Sequence, residues 1–205
     1  MTNDYLRTMI LFMAVFILLA CAGCTSPAPS SPVPAPSPVP TPGISTVSPA
    51  EMALQPADIP GNFTLLEKGE RNASNMRDWA KDHGWKRGYY VDYLKTGGNV
   101  SEGPIFQQVI SVYTAENITL IVPDTINNWK NWSAEDSNVT VEEISLPTIG
   151  DSSCAMIASD RSDNSQLYMI AFVKYDVFEQ FQTNGTKTDF ETLRQMAVTA
   201  ADKIR

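Results

Sequence analysis

The chain has 205 residues, a hydrophobic share of 43% and a formal net charge of −8. That length accommodates one ordinary domain with attachments, and the apolar content is sufficient for a real core. Residues 1–50 carry only Asp4 and Arg7 as charges, so the acidity belongs to the rest of the chain. An acidic domain is repelled by phosphate backbones, which argues against nucleic acid as a partner. It also avoids anionic head groups, so any membrane link has to come from the N-terminus.

Residues 1–8 are polar and include Arg7, and an unbroken apolar run follows from Met9 to Ala20. The run falls short of the ~20 residues that span a bilayer, but it matches the core of an export signal followed by small residues. Those residues are Ala22 and Gly23, directly before Cys24. Ala-Gly-Cys after an apolar run resembles the lipobox of prokaryotic lipoproteins. The resemblance implies cleavage before the cysteine and a lipid on its thiol. Cys21 stands where that family usually has leucine. A second reading places the lipid on Cys21, after Leu18-Leu19-Ala20, and a third keeps the segment as an uncleaved anchor. All three put the remainder of the chain outside the cytoplasm, on the outer face of the cytoplasmic membrane. Residues 1–24 are thus expected to be a signal peptide with lipobox.

Residues 25–49 hold nine of the fourteen prolines. Such a segment favours extended polyproline II rather than a packed core, and at full extension it reaches about 70–80 Å. A disordered linker over 25–49 and one extracytoplasmic domain over 50–205 are expected.

Within the domain, Pro60-Gly61 marks a turn, and Phe63–Glu70 reads as a strand. Ser74 can cap a helix to His83, with Met76, Trp79, Ala80 and His83 on one face; Gly84 suits its left-handed end. Trp85–Lys95 reads as a strand with Trp85, Tyr89, Val91 and Tyr93 in phase. Phe106–Thr114 is the next, with Phe106, Gln108, Ile110 and Val112 in phase. Residues 117–132 have helical spacing, interrupted by Pro123, which must start or kink a helix. Strands follow at 139–145, 153–159, 166–174 and 177–183, with turns at Asp160–Asn164 and Asn184-Gly185. Thr188-Asp189-Phe190-Glu191 is a capping box, and Phe190, Leu193, Ala197, Ala201 and Ile204 form the stripe of a closing helix. Runs of adjacent strands predict antiparallel pairing. The fold class is α+β: one domain, an antiparallel sheet of six to seven strands packed with two or three helices.

Pro147-Thr148-Ile149-Gly150-Asp151, followed by a strand, a hairpin and a closing amphipathic helix, resembles a pattern of prokaryotic extracytoplasmic lipoproteins. Their domains are similar to the PsbP-like α/β/α sandwich and to sensor domains outside bacterial kinases. The likeness covers residues 54–205. Disulfides found in some sensor relatives have no counterpart here.

Seven Asn-X-Ser/Thr sequons occur, at Asn62, Asn72, Asn99, Asn117, Asn131, Asn138 and Asn184. Chance predicts about two by the pattern. All seven fall at expected loops or element ends, where a glycan could be carried. A lipobox combined with sequons resembles an archaeal surface lipoprotein; a polar surface rich in Asn, Ser and Thr is the alternative. With Cys24 lipidated, Cys154 remains, and it is expected to be a buried, inert thiol. The sole histidine, His83, is the one base it could use.

No cofactor or metal is expected. One histidine excludes the common zinc patterns, and Asp160–Asn164 lacks the spacing and glycine of a calcium loop. No nucleophile elbow, P-loop or dinucleotide fingerprint is present. Glu142 and Glu143 point to opposite faces of a strand. The aromatic residues are the remaining hint: Trp85, Tyr90 and Trp132 are candidates for a binding surface, with core packing as the alternative. The expectation is a non-catalytic binding or sensing domain for a small ligand or surface protein. A structural or adapter subunit of a membrane or surface-layer complex comes second, and a hydrolase third.

Overall fold

The structure is a computed structural model that describes residues 43–61, 63–95, 105–184 and 190–205. It contains seven strands: β1 (Phe63–Arg71), β2 (Arg87–Lys95), β3 (Ile105–Val112), β4 (Val139–Glu143), β5 (Ser152–Asp160), β6 (Gln166–Lys174) and β7 (Val177–Asn184). Four helices accompany them among the described residues: α1 (Pro49–Met52), α2 (Asp78–Asp82), α3 (Ile118–Glu135) and α4 (Phe190–Lys203). The strands form one antiparallel sheet in the order β1-β2-β3-β7-β6-β5-β4. The expected α+β class and seven-strand sheet are thus observed. The additional helix is α1, about one turn long, and α2 is a shortened form of the helix expected before His83.

Alternation along the strands sends side chains to two faces, and each face has its own apolar cluster. Val91, Tyr93, Phe106, Ile110, Ile170, Phe172 and Phe181 meet α1 and α4. We call this the α4 face. Cys154, Met156, Met169, Ala171, Val173 and Phe178 meet Ile118, Ile121 and Val122 of α3 and Ala80 of α2. This is the α3 face. The result is an α/β/α sandwich. Helix α4 carries the expected stripe, with Leu193, Ala197, Ala201 and Ile204 all buried. The capping residues Thr188 and Asp189 lie outside the described residues.

Three sequence expectations shift. The helix expected from Ser74 to His83 is a 3-10 turn at Ala73–Asn75 followed by α2, although Met76 and Ala80 are buried as the spacing requires. Helix α3 keeps Pro123 inside it. The lost hydrogen bond lies on the exposed side, while Ile118, Ile121, Val122 and Thr125 bury the opposite stripe, so tertiary packing outweighs the local penalty. The ordered domain also starts upstream of Ala50. The Ser45 amide donates to Asp176 Oδ1 at 2.8 Å, the Thr46 amide to the Arg205 carbonyl at 2.9 Å, and Pro49 is buried. Residues 45–59 form a strap across the α4 face that joins the N-terminal segment to the sheet.

The Pro147–Asp151 motif is a structural fastener. Gly150 has φ +64°, and a side chain there would strike the Val173 carbonyl. The Asp151 carboxylate accepts from the Tyr175 amide at 2.7 Å. Tyr175 itself has φ +58° in the tight β6–β7 turn, so the motif steadies a strained bulky residue.

Candidate functional site

The two sheet faces are covered unequally. Strap and helix seal the α4 face from β2 to β7. On the other face, α3 packs on β4, β5, β6 and part of β7. Among the described residues, no helix packs over that face of β1, β2 and β3. The exposure pattern records the difference: Phe106, Gln108 and Ile110 are buried toward α4, whereas Ile105, Gln107 and Val109 between them are only half-buried.

The open area has polar rows set by register. One runs Glu67–Asp92–Gln107–Gln182 across β1, β2, β3 and β7. The next runs Gly69–Tyr90–Val109–Gln180. Gln107 Nε2 donates to Asp92 Oδ1 at 3.0 Å, and the Tyr90 hydroxyl donates to Glu67 Oε1 at 2.6 Å. Partial burial raises the Asp92 pKa, the Gln107 bond lowers it in part, and the charge of Glu67 raises it further. The Glu67 bond raises that of Tyr90. Gly69 leaves room for the Tyr90 ring, whose edge lies 3.0 Å from where a side chain would begin. In the last row, Gly88 lets Arg71 cross β2 and donate to Ser111 Oγ at 3.0 Å. The surface therefore offers amides, carboxylates and a phenol in fixed rows, the chemistry of hydrogen-bonded recognition.

On the sealed face lies a second polar group. Leu54 donates its amide to Gln108 Oε1 at 2.9 Å, and Gln108 Nε2 donates to Glu179 Oε2 at 2.7 Å. The Tyr93 hydroxyl donates to the Leu54 carbonyl. Glu179 is fully buried, its Oε1 has no partner, and burial pushes its pKa up to about 8. Beside this group a cavity of about 30 Å³ sits between strap and sheet, lined in part by Leu54, Tyr89 and Tyr93. That is room for water rather than for a metabolite.

The expected candidates do not form one surface. Tyr90 lies on the open area. Trp85 was expected in phase with Tyr89, but β2 begins at Arg87, and the indole lies half-buried against the α3-face cluster. Trp132 lies on α3, 40% exposed, edge-on to Trp129 at 5.8 Å. His83 is the residue after α2. Its Nδ1 lies 2.8 Å from the Trp79 carbonyl and its Nε2 3.0 Å from Asp124 Oδ2. Both ring nitrogens are engaged, so the ring ties α2 to α3 and has none left to activate a nucleophile. Cys154 is buried, and desolvation pushes its thiol up to about 11. Among the described residues no group of His, Cys, Asp and Glu could hold a metal, and no helix is long and apolar enough to cross a membrane.

Of the sequon asparagines, Asn72, Asn131 and Asn138 are exposed and Asn117 is half-buried before α3. Asn131 was expected at a helix end but sits one turn inside α3. Asn184 ends β7. Asn62 and Asn99 lie outside the described residues, as do Cys21 and Cys24.

The fold is thus an α/β/α sandwich with one sheet face half-uncovered among the described residues. No family model matches the chain, and no curated protein matches it. Among solved structures it is similar to the extracellular domain of PknH from Mycobacterium tuberculosis. The TM-score is 0.59 at 11% identity, over 77% of this chain and 96% of that one. At that identity the likeness is one of fold.

Proposed function

We propose that this chain is a lipid-anchored extracytoplasmic protein whose domain binds or senses a ligand without catalysis, through the open sheet area around Tyr90, Asp92, Gln107 and Gln182. The observation that carries the reading is the polar half of the α3 face, over which no helix packs among the described residues. The extracellular origin of the structural neighbour supports an extracytoplasmic setting. The lipobox at Cys24, with Cys21 as the alternative, supports the anchor, and the exposed sequons Asn72, Asn131 and Asn138 support glycosylation. The engaged His83 and the inert Cys154 support a non-catalytic role. A thermal-shift screen of the full chain in detergent, against soluble glycans, peptides and metabolites, is the test. A ligand at 100 times its Kd stabilises the fold by about 2.7 kcal/mol. The shift should vanish in Gln107→Ala and Gln182→Ala. A ligand that still binds those variants equally well places recognition elsewhere. An adapter role is the second reading. It rests on Leu120 and Trp132, 50% and 40% exposed on α3.

A further inference from the structure

Strand β1 is one end of the sheet. On an edge strand, alternate backbone N–H and C=O groups point away from the sheet and invite a further strand. Residues 64–68 are all exposed, including Leu65 and Leu66. The bulge lies between Leu65 and Glu67, which leaves the next five residues regular. They read Glu67-Lys68-Gly69-Glu70-Arg71.

This segment is charge-complementary to itself. Laid antiparallel on a second copy with Gly69 opposite Gly69, it sets Lys68 against Glu70 of the partner subunit and Glu67 against Arg71 of the partner subunit. Two-fold symmetry makes each pair twice. A one-residue slip either way sets like charges opposite each other, Glu67 on Glu70 or Lys68 on Arg71, which is unfavourable. A two-residue slip sets Lys68 on Lys68 or Glu70 on Glu70. One register alone satisfies all the charges. Lys68 and Glu70 are exposed, so their pair is available. Glu67 and Arg71 already bond to Tyr90 and Ser111, and their cross-copy pairing adds to those contacts.

We propose that β1 is a self-association edge. Two copies pair antiparallel through residues 67–71 about an axis at Gly69, which joins their sheets and their open areas into one surface. This inference is independent of the ligand reading. Charged edge residues usually oppose such pairing; here their order favours one partner, the chain itself. A five-residue contact is weak in solution, and display on a common membrane raises its effective concentration.

The test uses the full chain in detergent, produced without glycans because Asn72 adjoins the edge. Sedimentation is followed from micromolar to near-millimolar concentration. The wild-type chain should show concentration-dependent dimers. Lys68→Glu and Glu70→Lys should each weaken them about ten-fold, since both symmetric pairs turn repulsive, with unchanged melting temperature because both side chains are exposed. An equimolar mixture of the two variants should regain wild-type association, as should the double variant K68E/E70K, because opposite charges face each other again. A wild-type chain that stays monomeric throughout overturns the proposal. So does a dimer indifferent to the single variants, or one not recovered by both the mixture and the double variant.

Discussion

Replacing Glu179 by glutamine isolates the cost of a carboxyl sealed beneath the strap. In the fold its pKa stands at about 8 against an ordinary 4.5, with desolvation as the first cause, opposed by the Gln108 hydrogen bond and the nearby Lys203 charge. The folded domain therefore holds a proton that the unfolded chain releases. Between pH 4.5 and 8 the folded state binds more protons, so this group makes stability fall as pH rises. Each ten-fold step in proton affinity is about 1.4 kcal/mol, so the loss approaches about 3 kcal/mol at pH 7 and about 5 kcal/mol above pH 8. Glutamine keeps an acceptor for Gln108 Nε2 and has no proton to lose. Denaturant unfolding of wild-type and E179Q chains from pH 4.5 to 9 reads the difference directly, and other titrating groups cancel in it. The variant should gain on the wild type steadily through that window, apart from a pH-independent offset from its unpartnered amide. Parallel pH profiles would refute the reasoning, and would mean that the carboxyl reaches water.

Three further outcomes follow from the packing. Gly150→Ala forces a side chain into φ +64° and onto the Val173 carbonyl, so it should cost about 2–4 kcal/mol and lower the melting temperature by several degrees. Cys154, with its thiol at about 11, should be about a thousandth thiolate at pH 8 and should react with a maleimide only after denaturant is added. A chain beginning at Ala50 loses the Ser45 and Thr46 hydrogen bonds and the buried Pro49, and should unfold about 2–3 kcal/mol more easily than one beginning at Pro40.

The strands were legible because β6 is a near-continuous apolar run buried on both faces, β3 and β7 carry β-branched and aromatic residues in the phase that faces α4, and expected turns such as Asp160–Asn164 and Asn184-Gly185 carry Asp, Asn and Gly. The Asp160–Asn164 turn closes as its chemistry requires: Ser162 and Ser165 donate their amides to Asp160 and Asp163 at 2.7 and 2.8 Å. What escaped were features decided by partners distant in sequence. Trp85 reads as a strand residue until the bond from its amide to the Ala80 carbonyl ties it back to α2, and the ladder to β3 begins only with the Lys86 amide on the Val112 carbonyl. The strap has the composition of a tether, and only Asp176 and Arg205, far along the chain, convert it into structure. The open area was missed because Gln107, Gln180 and Gln182 occupy the solvent phase of ordinary strands. The signal that existed was the opposite one: Gln108 and Glu179 stand in the buried phase, where a polar residue needs a reason. That reason is their mutual bond and the Leu54 amide.

The buried polar group of Tyr93, Gln108 and Glu179 and the open area share β2, β3 and β7. Gln107 faces the open area and Gln108 holds the strap; Asp92 faces the open area and Tyr93 holds the strap. A ligand that draws β2 or β3 toward itself acts on the side chains that fasten Leu54, and the strap leads directly to the N-terminal segment. Coupling across a sheet of this kind needs a strap with two states whose balance a ligand shifts. Amide exchange at Leu54 reads it, because its N–H donates to Gln108 in the closed strap. For a ligand that binds the open area, a several-fold change in Leu54 exchange while the α4 amides stay constant would show that the strap responds. Unchanged exchange at saturation would mean that the sheet is a rigid display surface, with any signal leaving by the partner it captures.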